Sequence, residues 1–461
     1  MFKIIHKIKF STVIYIILAL FISWIGYRLR IEKFYFFPPL GDTSDETKAP
    51  FNGLSLLNLG VPRSWSWFPQ YTNASEQKIR GTNYRLVQPW FDEPPLFSLM
   101  MGVYAKEKGI NQYGEVDAGV FRWVMIKFAA LNTFLLFVIL FMLGKPIVGL
   151  AASAIYATVP TMVLGSRMPI SDNMVGTFAL LSVFLLLLYT KSKSKLALCA
   201  LILLSSSTLL LKSTGIFVPM GIMFILLGLK DFKAAIFQII GIGVMLGIWF
   251  GYGYYYDWNT FLKIMEVSSG RELFAPGNMI SLFLVYRIGE SIASVDGWLL
   301  WGWLAVVVYS YIFVSDKSKS PLERLILPCL LGSYLVFFSI MSGHNKGWYR
   351  FPFFPFLAWA GAELIVDLIK KPKFLAGLFF IGVPLASSYI FGTGEYKFTN
   401  PQIRQFQYFF IAITGILMAK EINLHPVFLR AAQLLMLIAF VAAIIFNYRT
   451  IMFYQDQFWY Q

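Results

Sequence analysis

The chain has 461 residues, of which 57% are hydrophobic and only 14% charged, and its formal net charge is +15. A water-soluble domain carries roughly 25% charged residues, so this composition and the mean hydropathy of +0.64 exclude an ordinary soluble protein. The cations stand at the ends of apolar segments, as in membrane proteins, and form no single stripe that would suit a nucleic acid.

The first apolar segment follows a basic start that holds Lys3, Lys7 and Lys9. A signal peptide would end in small residues at a cleavage site, whereas this apolar run continues to Trp24 and Tyr27. We therefore expect a retained first membrane span.

Crossing about 30 Å of hydrocarbon takes about 20 mostly apolar residues in a helix. On this basis the sequence predicts an all-α polytopic membrane protein of about 13 transmembrane helices, with further helices beside the membrane on the extracytoplasmic side. The predicted spans are 10–29, 121–143, 147–165, 173–190, 196–211, 214–229, 234–253, 297–315, 325–342, 352–369, 374–392, 405–420 and 426–447.

Charge predicts the orientation of these spans. With a cytoplasmic N-terminus, the loops on the inner side hold clusters of lysine around positions 145, 191–195, 230–233 and 370–373. This excess follows the positive-inside rule.

Two long segments, 30–120 and 254–296, then lie outside. Stretches 52–59 and 96–106 read as short amphipathic helices at the membrane surface. Tryptophans concentrate here, either as an interfacial belt or as stacking surfaces for sugars.

Cys199 and Cys329 both lie within apolar stretches, so we expect core residues rather than a disulfide or a metal pair. The three histidines are widely separated, so the sequence offers no histidine-based metal site.

Charged side chains gather at the predicted outer ends of the spans. A proton-coupled transporter would be expected to place carboxylates near the middle of the bilayer instead, so this distribution favours chemistry at the outer rim. The group consists of Asp45, Glu46, Asp92, Glu93, Arg122, Arg167, Asp172, Lys212 and Arg350.

Three acidic motifs stand out, and each also has a purely structural interpretation. Asp45 and Glu46 suit either catalysis or a helix start, where carboxylates are favourable. Asp92 and Glu93 precede two prolines, which either aim the carboxylates or simply stiffen a loop. Asp172 lies in a short loop and is equally suited to capping the next helix.

In chain order, these motifs resemble those of the GT-C superfamily, in particular the branch with protein O-mannosyltransferases and the bacterial aminoarabinose transferase of lipid A. The resemblance covers roughly residues 1–370 and is best in the first 220. It rests on Asp45-Glu46, residues 92–96 (Asp-Glu-Pro-Pro-Leu), Arg122, Ser166-Arg167 with Asp172, residues 212–215 (Lys-Ser-Thr-Gly) and residues 349–355 (Tyr-Arg-Phe-Pro-Phe-Phe-Pro).

The resemblance implies a polyprenyl-phosphate-sugar donor and inversion at the anomeric carbon. Asp45 would be the general base, Glu46 its neighbouring acid and Asp172 a second catalytic acid, with Lys212 at the donor. This chain departs from many relatives at Glu93, where a lysine would be able to contact the lipid phosphate. We also expect neither the large extracytoplasmic C-terminal domain nor the inserted sugar-binding domain of some members.

The remaining polar residues are assigned by chemistry. A lipid-phosphate leaving group needs cations more than a general acid, and Lys212, Arg350, Arg122 and Arg287 are the candidates. Asp92, Glu93, Arg167 and Tyr349 are expected to shape the site or bind the acceptor. No metal site is predicted with certainty, although Asp92, Glu93 or Asp45 offers ligands for a divalent ion.

The sequence therefore predicts an inverting glycosyltransferase of a bacterial or archaeal plasma membrane, active on the extracytoplasmic face. Its partners would be the lipid-linked donor, a protein, glycolipid or glycan acceptor and membrane lipid, without nucleic acid. Residues 1–370 would form the catalytic module and 371–461 additional C-terminal helices. A flippase or transporter of lipid-linked saccharides and a non-catalytic scaffold remain alternatives.

Overall fold

The computed structural model describes residues 10–39, 45–269, 297–315, 320–340, 347–393, 400–422 and 426–455. Helices dominate these parts of the chain. In chain order they are α1 (Phe10–Ile31), α2 (Asp45–Leu59), α3 (Pro95–Glu107), α4 (Ala118–Met142), α5 (Pro146–Thr158), α6 (Pro160–Gly165), α7 (Ser171–Ser192), α8 (Lys195–Leu211), α9 (Phe217–Gly228), α10 (Phe232–Ser269), α11 (Trp298–Ser315), α12 (Pro321–Ile340), α13 (Phe354–Lys370), α14 (Phe374–Phe380), α15 (Ala386–Thr393), α16 (Asn400–Ile422) and α17 (Pro426–Phe453).

Helix covers most of each predicted span within the described residues, although the predicted count of about 13 spans is not confirmed. Eight helical segments there are long and apolar enough to cross a bilayer, and four shorter apolar helices accompany them. The protein is therefore a helical integral membrane protein, as predicted. Several crossings are assembled from short pieces: α14 and α15, for instance, are joined by a π-helical turn, Ile381–Leu385.

Prolines mark where many of these helices begin. Pro95, Pro146, Pro160, Pro321 and Pro426 each stand in the first turn of their helix. A proline has no backbone N–H to donate, and the first turn of a helix has no acceptor for one, so the residue fits there at little cost. Their positions in the sequence thus fix where chain segments turn back into the bundle.

α10 is longer than the sequence suggested. The predicted span ends at residue 253, but the helix continues to Ser269 through a kink at Asp257, whose φ of −171° and ψ of 99° are non-helical. The Asp257 carboxylate accepts hydrogen bonds from the backbone N–H and the hydroxyl of Thr260, and so caps the second half of the helix. Residues 270–296, the rest of the predicted outer segment, lie outside the described residues.

The segment between α1 and α4 contains a small sheet that the all-helical prediction omitted. Strands β1 (Ser64–Trp65), β2 (Ala74–Ile79) and β3 (Thr82–Val87) form an antiparallel sheet in the order β1-β3-β2. Arg80 and Gly81, both with positive φ, make the two-residue turn between β2 and β3, an arrangement that suits the twist of a hairpin. β2 has four consecutive polar residues and is mostly exposed, so it lacks the apolar alternation by which a strand is identified in a sequence.

The two short helices predicted in the outer segment are confirmed as α2 and α3, and they pack directly on each other. Gly53 and Gly102 meet at their crossing, where a Cβ built on Gly102 would lie 2.6 Å from the Gly53 carbonyl carbon. The absence of side chains at these two positions lets the backbones touch. This contact fixes the start of α2 against the start of α3, the two places from which the outer acids project.

The lysine-rich turns meet at the opposite end of the bundle. Lys145, between α4 and α5, contacts Glu323 of α12 and lies 2.6 Å from Glu363 of α13. In the turn between α7 and α8, Lys193 lies 3.1 Å from Asp231, which also accepts a hydrogen bond from Tyr189. The helix ends that sequence analysis assigned to one side are thus joined by ion pairs on that side.

Replacing Gly102 by alanine should loosen the contact between α2 and α3. The added methyl group has no room against the Gly53 backbone, so we expect a loss of about 1–3 kcal/mol of stability. Thermal unfolding of the detergent-purified protein measures this loss. Gly114→Ala is the matched control, since a Cβ there meets nothing within 4 Å; equal effects of the two substitutions would contradict the packing argument.

Candidate active site

Three chain segments bring four carboxylates to one end of the bundle. Asp45 is the first residue of α2, Asp92 and Glu93 lie just before α3, and Asp172 lies in the first turn of α7. Pro94 and Pro95 follow Asp92 and Glu93 directly, and Pro94 is extended, with φ −60° and ψ 156°. Because a residue that precedes proline avoids helical conformation, the prolines hold Glu93 outside α3. The acids predicted at positions 45, 92, 93 and 172 therefore belong to one cluster.

Lys48 joins the first two of these acids. Its Nζ lies 2.8 Å from Oδ1 of Asp45 and 4.0 Å from Oδ2 of Asp92, and 4.5 Å from the centre of the Trp65 ring. Burial by itself opposes the charge of Lys48, but Asp45 and Asp92 outweigh it and raise its pKa. Lys48 therefore stays protonated and holds the start of α2 against the loop that carries Asp92.

Asp92 is held from its other side by two hydroxyl groups. Ser66 and Tyr71 donate hydrogen bonds of 2.9 and 2.8 Å to its Oδ1. The Tyr71 hydroxyl also accepts a bond from the backbone N–H of Phe91. Burial raises the pKa of Asp92, although Lys48 and these two hydroxyls act in the opposite direction. The small sheet thus positions Asp92, because Ser66 directly follows β1.

Lys212 joins the other two acids. Its Nζ lies 2.5 Å from Oδ2 of Asp172 and 3.8 Å from Oε1 of Glu93. The Tyr349 ring is 4.7 Å from the same Nζ, and the Ser171 hydroxyl lies 3.3 Å from the Glu93 carboxylate, to which it donates. Burial opposes the charge of Lys212, but Asp172 and Glu93 raise its pKa. Asp172, Lys212 and Tyr349, three of the predicted site residues, therefore lie together.

Glu93 links the two halves of the cluster. Burial raises its pKa to about 7; Lys212 and Lys48 lower it, whereas the negative charges of Asp45 and Asp172 raise it further. Its carboxyl group therefore changes charge near neutral pH. Asp45 acts electrostatically on the same group that Lys212 contacts, which places Asp45 in the same site as Lys212 and Asp172.

Glu46 and Arg122 form a separate pair with each other. Arg122 donates from Nε and Nη2 to the Glu46 carboxylate at 2.9–3.1 Å, and from Nη1 to the carbonyls of Phe34 and Pro38. Both side chains are at most 1% exposed. These bonds use all the N–H groups of the guanidinium, so none is left for a phosphate in this conformation.

Arg167 is likewise bound by the protein. It donates to the backbone carbonyls of Leu29, Glu32 and Phe37 and to the side chain of Gln455. Arg30 of α1 has similar surroundings, with the Ser166 hydroxyl and the carbonyls of Gly26 and Tyr156 as acceptors. These arginines tie α1 to the turn between α6 and α7.

Of the other predicted cations, Arg350 is 1% exposed within the 3₁₀ helix Gly347–Phe353, next to Tyr349. Arg287 lies outside the described residues.

Sequence reasoning missed Lys48, Ser66 and Tyr71. Lys48 stands three residues after Asp45, a spacing that brings side chains together on a helix and would have identified it. Nothing local in the sequence indicated that Ser66 and Tyr71 face Asp92.

The described residues do not provide a metal site. No three His, Cys, Asp or Glu side chains among them are placed to hold a metal ion. The carboxylates of Asp45 and Asp172 are instead each paired with a lysine, which leaves ammonium groups where a metal would need ligands. This donor set does not suit the divalent ion considered from the sequence.

Substitution of Glu46 by glutamine should destabilise the protein. The buried Arg122 charge would lose its counter-ion, and breaking such a pair costs about 3–5 kcal/mol. Thermal unfolding checks this, with Glu76→Gln on the exposed strand β2 as the control. A variant as stable as the wild type would contradict the buried ion pair.

Substitution of Glu93 by glutamine should stabilise the protein at high pH only. The ordinary glutamate pKa of 4.5 rises to about 7 in the folded chain. The folded state therefore binds a proton that the unfolded chain releases, and stability falls as pH rises through this window. We expect the variant to unfold several degrees above the wild type at pH 8.5 and at the same temperature at pH 4.5. A lower unfolding temperature at pH 8.5 would refute the assignment.

The fold is similar to known structures, although the sequence is not. No protein-family model and no curated protein matches the chain. ArnT from Cupriavidus metallidurans bound to undecaprenyl phosphate has a TM-score of 0.50 and 12% identity, over 95% of this chain and 77% of that chain. The oligosaccharyltransferase AglB from Archaeoglobus fulgidus, in complex with an inhibitory peptide and a dolichol-phosphate, has a TM-score of 0.48 and 10% identity. That match covers 95% of this chain and 56% of that chain. The similarity to ArnT confirms the predicted architecture: the chain has the GT-C fold.

Proposed function

We propose that this protein is an inverting glycosyltransferase that transfers a sugar from a polyprenyl phosphate to an acceptor hydroxyl. The observation that carries the proposal is the cluster of four carboxylates and two lysines at one end of a GT-C bundle. Such a site combines a base for the acceptor with cations for a phosphate leaving group. ArnT, which has the same fold, was crystallised with undecaprenyl phosphate, and this supports a lipid-linked donor.

Asp45 is the best candidate for the general base. Its side chain is 22% exposed, compared with 20% for Glu93, 6% for Asp92 and 2% for Asp172, and it is the first residue of α2. A base has to come within hydrogen-bonding distance of the hydroxyl that it deprotonates. Asp172 is bound closely to Lys212 and is better suited to orienting that lysine.

The reaction follows from these positions. As the acceptor oxygen bonds to the anomeric carbon, the Asp45 carboxylate takes the hydroxyl proton. The bond between the anomeric carbon and the phosphate oxygen breaks, and its electron pair stays on the lipid phosphate. Attack opposite the leaving group inverts the anomeric carbon. Lys212 stabilises the negative charge that develops on the phosphate, where a fixed ammonium is most effective.

The other predicted residues support this arrangement. We assign Glu46 and Arg122 the role of anchoring the start of α2, since they bind each other and the chain around Phe34 and Pro38. Arg167 fixes the turn before α7 in the same way. Asp92, Glu93 and Tyr349 shape the site around the two lysines. No step of the reaction is assigned to a metal ion.

We further propose that the cluster lies on the extracytoplasmic side. The ion-paired turns around Lys145 and Lys193 occupy the opposite end of the bundle. Lysine-rich turns face the cytoplasm under the positive-inside rule, so the acids face outward. A lipid-linked donor suits this location because it delivers the sugar without a nucleotide, and residues 1–370 hold every cluster member.

Substitution of Asp45 by asparagine should reduce sugar transfer at least about 100-fold, since general-base catalysis contributes roughly 10²–10⁴-fold. The assay uses the purified chain in liposomes with radiolabelled undecaprenyl-phosphate-sugars and an envelope glycolipid extract as acceptor. Asp231→Asn is the matched control, because Asp231 also pairs with a lysine, at 3.1 Å, but at the other end.

Near-normal transfer by the Asp45 variant would refute the base assignment. Movement of the lipid-linked sugar across the liposome membrane by the wild type, without any transfer, would instead support the flippase alternative and overturn the proposed function.

A further inference from the structure

The two lysines of the cluster have closely similar surroundings. Each Nζ lies between two carboxylates, at 2.8 and 4.0 Å for Lys48 and at 2.5 and 3.8 Å for Lys212. Each also lies over an aromatic ring, Trp65 in one case and Tyr349 in the other. The more distant acid of each lysine is Asp92 for Lys48 and Glu93 for Lys212, and these two acids are consecutive in the chain.

Both lysines also act on the same carboxyl group. Glu93 lies 3.8 Å from Lys212, and the charge of Lys48 reaches it as well. Lys48, on α2, and Lys212, which directly follows α8, thus both act on the Glu93 carboxyl group. A phosphate group, with several acceptor oxygens, is a ligand that two such donors bind together.

These lysines differ from the buried Arg122 in the number of N–H groups that remain for a ligand. Arg122 is 0% exposed and gives every N–H to the protein. Lys48 and Lys212 are 12% and 10% exposed, and within the described residues each has one carboxylate within 3 Å. An ammonium group has three N–H donors, so each lysine keeps donors for a ligand that enters the site.

We propose that Lys48 is the second phosphate-binding cation, and that Lys48 and Lys212 hold the donor phosphate between them. This inference rests on the proposed function, because it assumes a lipid-phosphate donor. Asp45 and Asp92 hold Lys48 in position while the site is empty of donor. Lys48 then supplies a positive charge near Glu93, whose own side chain is a carboxylate.

The test measures binding of sugar-free undecaprenyl phosphate to the full chain in nanodiscs. Lys48→Met and Lys212→Met should each weaken binding at least about tenfold, as expected for loss of a charge-assisted hydrogen bond. Lys48→Arg should stay within about threefold of the wild type. The matched control is Lys108→Met, since Lys108 also lies over an aromatic ring, 5.6 Å from the centre of Tyr104, but outside the cluster.

The alternative is that Lys48 only holds Asp45. In that case Lys48→Met binds undecaprenyl phosphate like the wild type, while the pH dependence of its turnover shifts, and the proposal is overturned. If the methionine variant does not fold, Lys48→Gln replaces it, since glutamine keeps a donor for Asp45 without the charge. Loss of binding in Lys212→Met alone would overturn only the role of Lys48. Absence of binding by the wild type would overturn the lipid-linked donor itself.

Discussion

A charge removed from water needs a partner, because an unpaired buried ion costs several kcal/mol. This constraint organises the extramembrane end of the bundle. Glu46 and Arg122 are almost completely buried and satisfy each other, while Arg30 and Arg167 take backbone carbonyls at helix ends. These pairs fix the termini of α1, α2, α4 and α7 relative to one another, and three residues of the candidate site, Asp45, Lys48 and Asp172, project from α2 and α7.

The same constraint separates structural charges from those available for chemistry. Arg122 is fully buried and has all its N–H groups occupied by the protein. By contrast, Asp45, Lys48 and Lys212 remain partly exposed, at 22%, 12% and 10%. The exposed fraction of the side chain therefore separates the site cations Lys48 and Lys212 from the fully buried Arg122.

The two ends of the bundle use ion pairs differently. At the lysine-rich end, Lys145 is shared between Glu323 and Glu363 and joins three chain segments. At the other end, two lysines are shared among four acids, and one of those acids, Glu93, has a pKa close to neutral. With four carboxylates around two ammonium groups, the site can gain or lose a proton at a carboxyl group. An ion-pair network with a purely structural role has no need of such a change.

The sequence by itself determined the helical membrane architecture, the positions of nearly all helices and the end of the bundle where the acids gather. These features follow from local composition: apolar length fixes a span, proline fixes a helix start, and charge stands where hydrocarbon ends. Only the tertiary structure decided which charges meet. Glu46 is adjacent to Asp45 in sequence, yet a rotation of about 100° per residue along α2 sends it to Arg122 instead of the cluster. Lys48, Ser66 and Tyr71 reach Asp92 only because the glycine contact and the small sheet fold the outer segment back on itself, and no local pattern records that.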